Sequence, residues 1–345
     1  MTQLPLVASE SSPVPLEVLD ERLRGTTFVA LAPRSVLNSP AQTGTGWWSL
    51  NPYVGCEFGC TYCYARYAHR YVVERAHDQG RLSPADFSEL KAKGAEAFER
   101  RIFVKETLAE VLERDLARFF KRGNQTPIVF GTATDPYQPA ERRFRLTRTA
   151  LERLARCEGL SVGIITKSPL VTRDLDVLKR IAERSDLEIC VSLITVDTAL
   201  IRAVEVRSPL PAVRLRALEK LVAAGLNAGL IVAPVLPGLT DDLAHLTALV
   251  QAAKDAGARF LYAGPLRLYA GVRERFLPVL EARFPSLARR YKRAYARSHS
   301  APGEYAVALR RRIERLERQF GFPVNDGMRD RYRPRRRPLQ TALSL

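Results

Sequence analysis

Cys56-Glu57-Phe58-Gly59-Cys60-Thr61-Tyr62-Cys63 follows directly on a strand-like run, Ser49-Leu50-Asn51-Pro52-Tyr53. The three cysteines are spaced C-x3-C-x2-C, with an aromatic residue just before the last. Three thiolates at this spacing can hold three corners of a [4Fe–4S] cube and leave the fourth iron open. An open iron binds a substrate or a second cofactor, so the spacing points to chemistry more than to electron storage.

Other uses of the cysteines fit less well. Structural zinc takes four protein ligands, commonly two C-x2-4-C pairs or a Cys/His mixture. Cys157 and Cys190 lie far downstream, which leaves His69, six residues past Cys63, as the fourth ligand of a competing zinc site. Bacterial ferredoxins use four cysteines and begin with a two-residue gap. Five cysteines, an odd number, in a chain with neither a basic start nor a following apolar run read as reduced thiols. No stretch approaches the roughly 20 apolar residues needed to span a bilayer. The expected location is the cytoplasm.

Beyond the cysteine loop and a charged, helical stretch over 64–120, apolar runs alternate with helical patterns. Candidate strands fall at 127–131, 160–166, 187–194, 228–234 and 259–263, and residues 50–53 make the first of six. Between them the spacing predicts helices near 147–157, 173–184, 212–224 and 242–255. Such alternation implies right-handed βαβ units and a parallel sheet. Either a doubly wound sheet or a partial (β/α) barrel satisfies it. In barrels, reactive groups gather at the C-terminal ends of the strands. Those positions here carry Gly131 to Pro139, Thr166-Lys167-Ser168, Ser192-Leu193-Ile194-Thr195 and Pro234 to Asp241. Each also suits an ordinary βα turn, where Thr, Ser and Asp cap helices.

Taken together these segments resemble the radical SAM superfamily, and within it the spore photoproduct lyase-related branch. The likeness rests on residues 48–56 and 60–66, on Gly131-Thr132-Ala133-Thr134-Asp135-Pro136-Tyr137-Gln138-Pro139-Ala140-Glu141, on Thr166-Lys167-Ser168 and on residues 232–241, and covers about 33–270. It implies an α/β fold: a partial (β/α)6 radical SAM barrel over 46–270, with an N-terminal arm (1–45) and a basic helical C-terminal extension (271–345). It implies that Cys56, Cys60 and Cys63 bind the cluster, and that S-adenosylmethionine is the second cofactor. Tyr62 falls beside its adenine, Thr132, Thr134 and Asp135 by the methionyl amino group, Lys167 and Ser168 by carboxylate or ribose, and Ser192 by ribose. An external low-potential electron donor is also implied. Photoproduct reversal needs a further cysteine as hydrogen-atom donor, and the second strand's end supplies none. Cys157 and Cys190 remain, both better read as packing.

The substrate is less defined. Net charge is +17, and from Arg283 onward there are seventeen Lys and Arg against five Asp and Glu. Such a tail can neutralise phosphates, and Tyr291, Tyr295, Tyr305, Phe320, Phe322 and Tyr332 can add stacking. Equally, only nine of 54 basic residues are lysine, a bias that places arginine on ordinary solvated faces. Action on nucleic acid therefore stands beside action on a metabolite or protein, and beside a metal- or cluster-stabilised nucleic-acid-binding protein without catalysis.

Overall fold

Runs rich in Ile, Val and Leu form strands because branched side chains pack well on a pleated surface covered on both faces. All of Ile128–Phe130 and all but the first residue of Asp186–Ser192 are buried. The computed structural model describes residues 17–22 and 25–324. In chain order the strands are β1 (Val18–Arg22), β2 (Thr26–Ala30), β3 (Leu37–Asn38), β4 (Trp48–Leu50), β5 (Tyr53–Val54), β6 (Arg101–Val104), β7 (Ile128–Phe130), β8 (Ser161–Thr166), β9 (Asp186–Ser192), β10 (Ala228–Val235) and β11 (Leu261–Pro265).

One sheet has the order β11-β10-β9-β8-β7-β4-β3. Its six strands from β4 to β11 are parallel, and β3 adds an antiparallel edge. Helices connect successive strands, among them Leu146–Leu154, Leu175–Arg184, Pro211–Ala223 and Leu243–Asp255. The chain is α/β, a six-stranded partial barrel with its helices outside. The sheet turns through close contacts that only glycine permits. Gly131, at the end of β7, has φ +83°, and a Cβ there would lie 2.2 Å from the Ile165 carbonyl oxygen.

A second sheet, β1-β2-β6-β5, was not anticipated. Residues 26–30, read as part of an extended arm, form a strand parallel to β6. Residues 101–104, read within a helical stretch, form β6 itself. Ile102, Phe103 and Val104 are too few for a period to show, and their partners are distant in sequence, so pairing decides their state. The expected first strand, 50–53, is split between the two sheets. Pro52 lacks an N–H for a ladder, and the chain leaves β4 at Leu50 to enter β5 at Tyr53.

After β11, helices Ala270–Arg283, Pro285–Ala294 and Gly303–Gln319 pack on the barrel through Phe276, Leu280, Tyr291, Tyr295, Leu309 and Leu316, all buried. A buried leucine contributes about 2 kcal/mol, which holds this basic segment to the core. No helix among the described residues is long and apolar enough to cross a membrane.

Candidate active site

The cysteine loop leaves β5 and crosses the C-terminal ends of the parallel strands. Backbone bonds pin it along its length. Cys56 N–H donates to Phe98 O (3.0 Å), Thr61 N–H to Val204 O (2.9 Å), and Arg207 N–H to Phe58 O (3.1 Å). Gly59, in the left-handed region at φ +64°, passes so close to Glu99 that a Cβ would stand 2.5 Å from Oε2. That carboxylate is itself held by Arg66 (3.1 Å) and Arg275 (3.0 Å), and Arg66 also donates to Cys60 O (2.9 Å).

Cys56, Cys60 and Cys63 are free thiols. Burial pushes all three up from the ordinary thiol range. Asp135, Cys60 and Cys63 add to the rise at Cys56, and Glu205 adds to it at Cys60. Two buried thiols and a half-buried one, Cys63, on one loop suit a group whose metal charge makes thiolates favourable. Among the described residues, no three His, Cys, Asp or Glu groups gather tightly enough for a single metal ion. A four-iron cube instead spreads its ligands over separate corners, so the donor set fits a cluster better than one zinc. His69 does not join it. Its Nε2 lies 2.8 Å from Arg101 O, and its ring packs on Phe103 at 5.4 Å. Burial draws its pKa down to about 4.

The strand ends facing the loop divide into braces and a charged group. Asn51 Nδ2 donates to Thr132 Oγ1 (2.9 Å), and Thr134 Oγ1 donates to Gly55 O (2.5 Å). Gln138 donates to both Gly55 O and Thr134 Oγ1. Asp135 accepts from Thr166 Oγ1 and from Lys167 N–H, each at 2.7 Å. Burial raises the Asp135 carboxyl, against those bonds. Thr132, Thr134 and Asp135 thus tie the end of β7 to the cysteine loop and to β8.

Lys167 reaches inward. Its Nζ donates to Ser192 Oγ (2.9 Å), stands 3.9 Å from Glu205 Oε1 and lies 5.8 Å from the Tyr62 ring centre. Burial opposes its charge, but Glu205 and Cys60 hold its pKa above the ordinary value. Glu205 is fully buried and accepts from the Tyr62 hydroxyl, from Arg214 and from Ser208 Oγ. Burial disfavours the Glu205 carboxylate, yet Arg214 and Lys167 outweigh it and bring its pKa to about 2. Arg214 also donates to Ser192 O (2.9 Å). Ser168 does not belong to this group. Its hydroxyl accepts from Leu170 N–H (3.2 Å), and the residue lines a pocket that holds neither Lys167 nor Ser192.

A family model described as the radical SAM superfamily matches residues 50–250, more than half of the chain. The protein is a radical SAM superfamily member. An uncharacterized Mycobacterium tuberculosis protein is 34% identical over 294 residues, covering 85% of this chain and 80% of its own. An uncharacterized protein of Methanocaldococcus jannaschii is 27% identical over 192 residues, covering 56% of this chain and 61% of its own. Among solved structures, a spore photoproduct lyase mutant with bound AdoMet and dinucleoside spore photoproduct superposes with a TM-score of 0.59. Its identity is 16%, over 86% of this chain and 80% of that one. The fold is therefore the one expected, and the cofactors of this radical SAM protein are a [4Fe–4S] cluster and S-adenosylmethionine.

Glu205 and Arg214 are the site residues the sequence reading missed. A signal existed: the buried face of Pro211–Ala223 is Arg214, Ala217, Leu218 and Leu221, an arginine on an otherwise apolar stripe. Cys190, weighed as a hydrogen-atom donor, precedes Ser192 by two residues and so shares its face of β9. It is fully buried in a cluster with Ile231, Phe260 and Tyr262. Cys157 packs in the main core.

Proposed function

We propose that this radical SAM enzyme cleaves S-adenosylmethionine reductively to a 5′-deoxyadenosyl radical, held by the residues above, and that the radical acts on a nucleic acid. The observation that supports the reading is the convergence on one loop of three free thiols, Cys56 and Cys60 buried and Cys63 half-buried, with Glu205, Lys167 and Arg214 all acting on Cys60. When bound, the cluster would supply the electron for reductive cleavage of S-adenosylmethionine, and Cys56, Cys60 and Cys63 would hold it.

Lys167 offers a compact cation to the cofactor's carboxylate. Glu205, locked by Arg214 and Ser208, keeps that cation charged and aims it. Tyr62, tied to Glu205 through its hydroxyl, presents its ring to the adenine side, and Ser192 presents its hydroxyl for the ribose. Burial of Glu205 and Arg214 keeps water from their ion pair and so strengthens the field that holds Lys167.

Support for a nucleic-acid substrate is electrostatic. Exposed Arg289, Arg290, Arg293, Arg310, Arg311 and Arg315 stud the two terminal helices. Tyr291, Tyr295 and Phe322 are buried and seal those helices to the barrel, so charge carries this support and stacking does not. Tyr332 and the arginines at 329–337 lie outside the described residues.

The test is anaerobic reconstitution followed by turnover with dithionite and S-adenosylmethionine. About four irons per chain and 5′-deoxyadenosine are expected, and Cys60→Ala should reduce both to background. Stoichiometric zinc without iron would reject the cluster, and a loaded protein that forms no 5′-deoxyadenosine would be a binder. Retention on DNA or RNA should fall steeply with salt, and salt-indifferent retention would reject the electrostatic footprint.

A further inference from the structure

Glu141, Asp174 and Glu205 are fully buried, and each is met by an arginine: Arg173, Arg148 and Arg214 in turn. Arg142, Arg202 and Arg207 have no such partner. Among the described residues none of the three forms an ion pair, yet all three line one open pocket of about 320 Å³. That volume suits a small ligand. No acidic side chain stands in the lining.

Arg142 and Arg202 are exposed, and Arg207 is half-buried. Burial lowers the Arg207 pKa, and Arg100 adds to the fall. Glu99 and Glu57 pull the other way, but both carboxylates are engaged elsewhere. Glu99 accepts from Arg66 and Arg275, and Glu57 accepts from Ala140 N–H (2.6 Å). Arg202 gives one N–H to Ser208 O (3.0 Å). A cation withdrawn from water without a partner costs free energy, which a bound anion would recover. The lining also holds Pro139, Pro169 and Pro209. Their fixed φ stiffens the wall and lowers the cost of ordering it around a ligand.

The number of guanidiniums selects among anions. A carboxylate has two oxygens and one charge to share among three forks. A terminal phosphate has three free oxygens and close to two negative charges at neutral pH, so each fork finds an acceptor. We propose that this pocket binds a terminal phosphate group, with Arg142, Arg202 and Arg207 as its ligands. The phosphate ends a nucleic-acid strand or belongs to a small phosphate ester, and only the first source rests on the nucleic-acid reading. Phe58, between Cys56 and Cys60, forms a further wall, so the anchored molecule lies against the cysteine loop. Ser208 also lines the pocket, and its hydroxyl donates to Glu205 and accepts from Arg214, each at 2.6 Å. The phosphate site and the Lys167–Glu205 group thus share a residue.

The probes are inorganic phosphate and a short oligothymidylate with and without a 5′-phosphate, titrated calorimetrically against the anaerobic holoenzyme. Wild type should bind inorganic phosphate, and Arg142→Gln with Arg202→Gln should weaken that binding by about tenfold or more. Arg142→Gln alone, at an exposed side chain that cannot disturb the core, should weaken it by about threefold. Arg207→Lys keeps the charge, loses the fork and should also weaken it. Arg311→Gln, on the terminal helix, should leave phosphate affinity alone. A strand end as occupant predicts that the 5′-phosphate tightens oligothymidylate binding in wild type and has no effect in the double variant. Phosphate affinity lost in the variants without that gain assigns the pocket to a small ester.

Unchanged phosphate affinity in both Arg142→Gln and the double variant overturns the proposal. So does a wild-type holoenzyme that shows no phosphate binding. A wild type that binds phosphate here but retains neither DNA nor RNA at low salt overturns the nucleic-acid reading and leaves the site standing.

Discussion

Arg214 and Arg311 carry the same guanidinium into opposite circumstances. Arg214 is fully buried behind the cysteine loop, with donors directed to Glu205, Ser208, Ser192 and Pro209. Arg311 stands in solvent on the terminal helix Gly303–Gln319. A buried ion costs several kcal/mol in desolvation unless it is paired and hydrogen-bonded, so its partners are obligatory and its position is exact to within a bond. An exposed arginine is screened, and contributes a field more than a geometry. The inner region is therefore fixed in its geometry, and the outer one contributes an electrostatic field.

The sharpest way to break this contrast is to remove one partner from the buried pair. Arg214→Met should destabilise the fold by about 3 kcal/mol, since buried Glu205 loses its directly bonded cation and keeps only Lys167 at 3.9 Å. Adding Glu205→Gln should restore part of the loss in a denaturant titration. Equal stability of the single and double variants would show that the pair is not coupled.

A smaller effect tests burial without an ion pair. The folded pKa of His69, about 4, lies below its unfolded value of about 6.5. The unfolded chain therefore binds more protons in that window. The His69 contribution is complete above about pH 6.5 and is lost as pH falls towards 4, by about 2 kcal/mol between pH 7 and pH 5. His69→Gln should flatten this part of the stability–pH curve, measured by denaturant midpoint at the two pH values. A curve unchanged by the substitution would place the proton elsewhere.

The smallest effect on folding belongs to the terminal helices. Arg311→Ala with Arg315→Ala should shift stability by no more than about 0.5 kcal/mol per site. It should also shallow the salt dependence of nucleic-acid retention by one to two phosphate contacts. A large loss of stability would mean that these arginines act as Arg214 does.

Much of this was legible from residue order. Five of the six parallel strands were visible because each is a short apolar run between turn residues, the first being expected at 50–53, of which only Leu50 lies in β4; the helix Leu108–Lys121 was visible because Leu108, Val111, Leu112, Leu116 and Phe119 keep a helical period. The second sheet was not, since β2 and β6 are four or five residues long and find each other across 70 intervening positions. At the strand ends, Lys167 and Ser192 stood out as polar residues in apolar surroundings. Thr132, Thr134 and Asp135 stood out equally, although their side chains brace neighbouring backbone and loop.

Sequence alone determined the C-x3-C-x2-C spacing of the three thiols, a local property that no packing alters. It also determined the alternation of strands and helices from β7 to β11, which follows from hydrophobic period. Only the tertiary structure decided which charges work together. Lys167 comes from the connection after β8, Glu205 and Arg214 from the one after β9, and Cys60 from the cysteine loop. Their coupling exists only where barrel closure removes water and lowers the local dielectric.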